Sequence, residues 1–341
     1  MLTLYTTEKK LSDLCMEGAE WFDIIRNQSE VYICNDSSEE QWDISNNLLC
    51  ALHKSGTSIV VDNGVLADIK KDYSTVLDFS NPVFILDFSP EESKKIEEKF
   101  GVLFLPSDNT PRPILAKRGW EIDTSDVTKP KTWDYFLSGN QVVFNSLLIV
   151  DRYFFSSNQG ETLDDSLFNL KSILEALLPK KPVKKFVVTV VFDESQSDCK
   201  LQDLATKVNK IKKSIIGRTP FTLELLSINK NCYKYEDTHD RFIISNYFVI
   251  NATHKIKAFN SNKKALCAQK LFFDYLYSKG IEQGDISSKP EVTQDRVVKT
   301  LCESIKTSKK EIVYSANGIT CKKGVFSVEN DMIMVDDTED E

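Results

Sequence analysis

Between residues 142 and 229 three apolar runs, VVFNSLLIVDRYFF (142–155), KKFVVTVVFDES (184–195) and FTLELLSIN (221–229), are separated by two stretches of helical period. No other feature restricts the fold so strongly. A run that is apolar on both faces belongs to a strand covered on both sides. A link long enough for a helix lets consecutive strands run parallel through a right-handed crossover. In LDDSLFNLKSILEALLP (163–179), Leu167, Leu170, Ile173, Leu174 and Leu177 fall on one side and Pro179 stops the helix. LQDLATKVNKIKKSIIG (201–217) is a second helix with Lys207, Lys210 and Lys213 along one side. The pattern predicts an α/β unit with a mainly parallel sheet flanked by helices.

The front of the chain repeats the alternation on a smaller scale. VYIC (31–34), TSIVVD (57–62), PVFILDF (82–88) and VLFLP (102–106) have strand character, and residues 37–56 read as a helix ended by Gly56. SPEESKKIEEKFG (89–101) is the clearest helix: Ser89 caps, Pro90 takes the first position, Glu92 closes the box and Gly101 follows the end. Two α/β units result: an acidic domain at 1–106, a connecting segment at 107–140, a second domain at 141–330 and an acidic tail at 331–341. Trp120 and Trp133 would pack part of the connector. Helices are expected near 262–279 and 292–308, and a closing pair of strands at 311–318 and 324–330.

Charge separates the same regions. Residues 1–140 carry 14 basic and 24 acidic side chains, 141–260 carry 17 and 13, and 261–328 carry 12 and 7. The last thirteen residues hold seven acids and no base, and the whole chain is at −8. A basic body between acidic flanks suits a body that meets polyanions, although solvated surface lysine explains the same counts. Apolar residues at 41% and few Gly and Pro make the chain globular. It shows no signal-peptide pattern and no run of ~20 apolar residues, and a cytoplasmic protein is expected. The eight cysteines form no CxxC pair and have no His at zinc spacing, so neither disulfide framework nor metal site is expected, and no cofactor. A Walker loop, GxGxxG and GxSxG are missing, which disfavours the enzyme classes built on them.

The candidate chemistry lies in THDRFIISNYFVINATHKIKAF (238–259), which holds two of only three histidines. His239, Arg241 and Asn246 stand at the spacing that phospholipase D-like phosphodiesterases give to a His, a Lys two residues on and an Asp five further. Arg clamps phosphate with a planar fork. Asn in place of Asp keeps hydrogen bonding but loses the charge that would stabilise an imidazolium. Together with Asp151-Arg152-Tyr153-Phe154 at the first strand, His239-Asp240-Arg241 resembles the C-terminal domain of microtubule-interacting-and-trafficking proteins, which has a phospholipase D-like fold. The resemblance covers 142–260, and Arg152 stands where the family pattern has Pro.

The resemblance implies one of two things. Active phospholipase D-like enzymes join two such motifs, so turnover here would need a homodimer with His239 facing its mate. The trafficking family binds anionic lipid head groups without catalysis. His239, Arg241 and Asn246 are the catalytic candidates. Arg241, Lys207, Lys210 and Lys213 are the phosphate-binding candidates, with Asp151 orienting. The ordinary alternatives stay open: His239 capping a loop, Arg241 pairing with Asp151 or Asp240, Asn246 as a turn residue, the lysines as solvated helix face. The reading is a phosphate-backbone binder with a degenerate phospholipase D-like site, nucleic acid before lipid, and a protein partner for the acidic front. That combination of domains suits a prokaryotic conflict or defence system. A metal-independent phosphodiesterase acting as a homodimer and an adaptor subunit are the alternatives.

Overall fold

The computed structural model describes residues 2–17, 22, 25, 29–34, 47–62, 64–105, 120–124, 132–137, 143–157, 161–197, 199–228, 241–252, 254–267, 269–276, 294, 296–302, 311–316, 318–323, 330 and 332. The chain divides into two compact units, residues 1–116 and 117–341.

In the first unit β1 (Leu2–Thr6), α1 (Glu8–Glu17), β2 (Ser29–Ile33), α2 (Asn47–Lys54), β3 (Ser58–Val61), α3 (Val65–Lys71), β4 (Pro82–Ile85), α4 (Pro90–Phe100) and β5 (Leu103–Leu105) alternate strand with helix. Their sheet has the order β3-β2-β1-β4-β5, with every pairing parallel. The predicted strands at 31–34, 57–62, 82–88 and 102–106 are present. The central strand β1 was not expected from LTLYT, whose only strong apolar positions alternate with threonines and a tyrosine. Helix α4 has its capping box in full, with Ser89 Oγ accepting from Glu92 N and Glu92 accepting from Ser89 N, and Gly101 ends it at φ +68°. Beneath it Ile96, Phe100 and Phe104 join a core in which Tyr5 stacks between Tyr32 and Phe84, ring centres 4.8 and 5.1 Å away. Offset aromatic pairs of this kind add to simple area burial.

The second unit contains β6 (Trp120–Asp123), α5 (Trp133–Leu137), β7 (Ser146–Val150), α6 (Leu163–Leu177), β8 (Val187–Phe192), α7 (Leu201–Ser214), β9 (Thr222–Ser227), β10 (Arg241–Ser245), β11 (Phe248–Ala252), β12 (Lys270–Tyr275), β13 (Glu311–Ala316) and β14 (Ile319–Lys323). One sheet holds all nine strands in the order β13-β14-β9-β8-β7-β10-β11-β12-β6. The crossovers β7-α6-β8 and β8-α7-β9 are parallel as the apolar runs predicted, and every residue of β7 and β8 is buried. Helix α6 opens on a second capping box, Thr162 with Asp165.

The sheet corrects the expectation of a mainly parallel arrangement. Only β7-β8, β8-β9 and β9-β14 are parallel; the five other pairings are antiparallel. After β9 the chain returns beyond β7 and continues as a meander, because a two-residue loop at Asn246 and Tyr247 is too short for a crossover. Residues 270–275, read as helix, form β12: Leu271, Phe273 and Tyr275 are buried and Lys270 and Phe272 face outward, a period of two. The partner of β13 is β14 at 319–323, one turn earlier than expected, while 324–329 lie outside the described residues. The described part of the connector also belongs to this unit, since β6 extends the sheet beside β12 and α5 packs on α6 with Trp133 fully buried.

Polar side chains tie the core across long sequence distances. Ser146 Oγ and Asn330 Oδ1 lie 2.6 Å apart, Asn330 Nδ2 donates to Thr189 Oγ1 at 3.0 Å, and Thr189 donates to Glu224 at 2.9 Å. All four are buried, so each hydrogen bond replaces one lost to water.

Candidate phosphate-recognition site

The site stands at the carboxyl end of β7 and β8, the edge where open α/β sheets receive ligands. Asp151 follows β7 directly and Asp193 follows β8, each at the end of a fully buried strand. Because β10 runs antiparallel to β7, its first residue, Arg241, arrives beside the last residues of β7. Arg241 Nε donates to Asp151 Oδ1 at 3.1 Å. The same oxygen accepts from Tyr153 N at 2.9 Å, and Asp151 Oδ2 accepts from Ile256 N at 3.3 Å. Burial pushes the Asp151 carboxyl up, while the Arg241 charge and the two amides pull it back. Both oxygens act as acceptors, which is the geometry of a carboxylate.

A second pair repeats the first. Arg152 Nε donates to Asp193 Oδ2 at 3.2 Å, and Asp193 Oδ1 accepts from Ser195 N and Oγ. The Tyr153 ring is within cation–π range of both guanidinium groups, 5.3 Å from Arg152 and 5.7 Å from Arg241. A third cluster comes from the segment after β11. Lys255 and Lys257 share the buried Glu161, Lys257 at 2.6 Å, and Lys257 also donates to Ser156 O. Gln269 holds Lys255 from both sides, accepting from its N at 2.9 Å and donating to its O at 2.7 Å.

The exposures divide the charges by job. Asp151 and Asp193 leave 1% of their side chains in solvent, whereas Arg241 and Arg152 keep 14% and 25%. Lys255 keeps 24% over a Glu161 that keeps 5%, but Lys257 is sealed at 1% and is a structural ion. Three partly exposed cations are thus held by three buried carboxylates, an arrangement that fixes each cation before any ligand arrives.

The predicted residues do not all meet here. Arg241 and Asp151 do, as the pairing alternative foresaw. His239 lies outside the described residues. Asn246 sits in the turn at the other end of β10, about 17 Å away for five extended residues, where it accepts from Asn145 N and Ser146 N. It closes the fold there and does not face Arg241. Lys207, Lys210 and Lys213 are exposed on α7, which descends from the site edge toward the opposite edge. Arg152, Asp193, Glu161 and Lys255 were not anticipated. The one signal in the sequence was an acid closing each buried run, IVD and VFD.

Among the described residues no group of His, Cys, Asp and Glu side chains is placed to hold a metal ion, and no helix is long and apolar enough to cross a membrane. Comparison with family models, with curated proteins and with solved structures finds no match for this chain.

Proposed function

We propose that the second unit binds the phosphate groups of a nucleic acid at the carboxyl edge of β7 and β8, as a degenerate phospholipase D-like module that binds without cleaving. The observation that carries this reading is the set Arg152, Arg241 and Lys255, each partly exposed and each anchored by a buried carboxylate. The buried carboxylates hold these cations in place while their residual exposure leaves oriented donors at a solvent boundary, which is what a phosphate ligand needs. Binding is favoured over turnover because Asn246, the candidate third member, lies at the far end of β10. The alternative is a homodimeric phosphodiesterase working through His239.

One experiment separates these readings. Fluorescence anisotropy with single- and double-stranded DNA and RNA is run across salt concentrations, with anionic vesicles as control, beside hydrolysis of the same substrates without added metal. The variants are Arg241→Lys, which keeps a cation against Asp151 but loses the planar fork, Lys207→Ala and His239→Ala. The expected result is salt-dependent binding, weakened more by Arg241→Lys than by Lys207→Ala, with no hydrolysis. Equal small effects would reduce the site to a diffuse basic surface. Hydrolysis that disappears in His239→Ala would establish the phosphodiesterase.

A further inference from the structure

Beside α6, on the side of α5 and of the loop after α7, lies a cleft of about 560 Å³ whose lining includes Asp134, Phe168, Ile216, Arg218 and Lys263. No residue of the Arg241 site lines it. Its volume falls within the 300–1,000 Å³ range of small-molecule sites.

Three features of this cleft bear on what it can hold. First, Lys171 in its wall pairs with Glu175 at 3.7 Å, but Arg218, Lys263 and Asp134 have no ion-pair partner among the described residues. Second, Lys263 adopts φ 61°, in a tight turn closed by its own N–H on Asn260 O at 2.9 Å. Asn260 N donates to Lys264 O at 2.8 Å and Asn260 Oδ1 accepts from Lys264 N at 3.0 Å, so the loop requires this conformation and fixes where the Lys263 side chain starts. Third, Ile216 is 88% exposed at the cleft rim. The loop that presents it is fixed: Gly217 reverses the chain at φ 74°, and Thr219 bonds Pro179 O at 2.9 Å and Lys181 O at 2.5 Å. The positions of Ile216 and Arg218 are therefore set by the fold.

We propose that this cleft binds a mononucleotide. Arg218 and Lys263 supply cationic donors for a phosphate, Asp134 accepts from sugar hydroxyls, and Phe168 with Ile216 gives an apolar wall for a base. The unpaired charges and the exposed Ile216 acquire partners in that complex. The proposal does not depend on the Arg241 reading, since it uses none of the same residues.

The test is isothermal titration of the full chain with AMP, adenosine and inorganic phosphate at low salt. AMP is expected to bind at least ten-fold more tightly than either fragment. Arg218→Glu lowers AMP affinity ten-fold or more, and Arg241→Lys leaves it unchanged. Ile216→Ser, at a site too exposed to affect folding, weakens AMP several-fold and leaves phosphate as it was. AMP binding no tighter than phosphate, or affinity that survives both Arg218→Glu and Ile216→Ser, would overturn the proposal. Loss in Arg241→Lys alone would move the nucleotide to the other site and overturn it equally.

Discussion

Arg241 and Lys263 show how differently a single cation can be supported. Arg241 is matched to a buried carboxylate, so Arg241→Ala leaves Asp151 with two amide donors and the nearby Lys257 charge. Removing one member of such a pair costs about 3–5 kcal/mol, which urea unfolding will report. Arg152→Ala is milder, because Asp193 keeps both bonds from Ser195 and Arg152 is the more exposed cation. Lys263→Gly relieves a left-handed backbone and is expected to leave stability unchanged or raise it by up to about 1 kcal/mol. In the first unit, burial pushes the Cys34 thiol from 9.0 to about 12 and raises Tyr5 as well. Their folded values exceed the unfolded ones, so the folded unit holds these protons longer. That stabilisation is complete below about pH 9 and is lost as pH rises beyond it. Cys34 is expected to stay unreactive to thiol reagents at pH 8 and to label only on unfolding, which mass spectrometry reads directly.

The Ser89 capping box is the element-scale feature that the sequence announces most plainly. Ser89→Ala and Thr162→Ala each remove a side-chain cap worth about 1 kcal/mol. Thr162→Ala is expected to cost more, since its partner Asp165 also accepts from Ser261 N at 3.0 Å and links α6 to the loop after β11. Chemical denaturation of the two variants measures the difference. Strands are harder to read: β12 and a helix share an apolar stretch of similar length, and only the pairing of Leu271 with Ala252 and with Ile122 reveals the period of two. The acidic tail needs the same structural correction. Met332 is buried and its N donates to Asn330 Oδ1, so removing 331–341 would take core with charge. Deleting 333–341 removes five acids and spares Met332, and tighter DNA binding at low salt is expected if the tail competes for the basic body.

At the scale of the whole molecule, the described residues form two sheets that share no strand, each with its own buried side chains. Residues 1–116 and 117–341 are therefore expected to fold when expressed separately, each with a cooperative thermal transition; a fragment without one would show that its core is incomplete. The sequence by itself determined the alternating α/β units, the Ser89 cap and the apolar strands that form β7, β8 and β9, because periodicity, capping and burial on both faces are local properties. It also marked Asp151 and Arg241 as candidates. The tertiary structure alone decided that Arg241 meets Asp151 across 90 residues, that Glu161 collects Lys255 and Lys257, and that Asn246 goes to the opposite edge. Those outcomes follow from which side of β7 receives β10 and in which direction. That choice depends on hydrogen bonds and buried surface between segments far apart in the chain, and no local pattern encodes it.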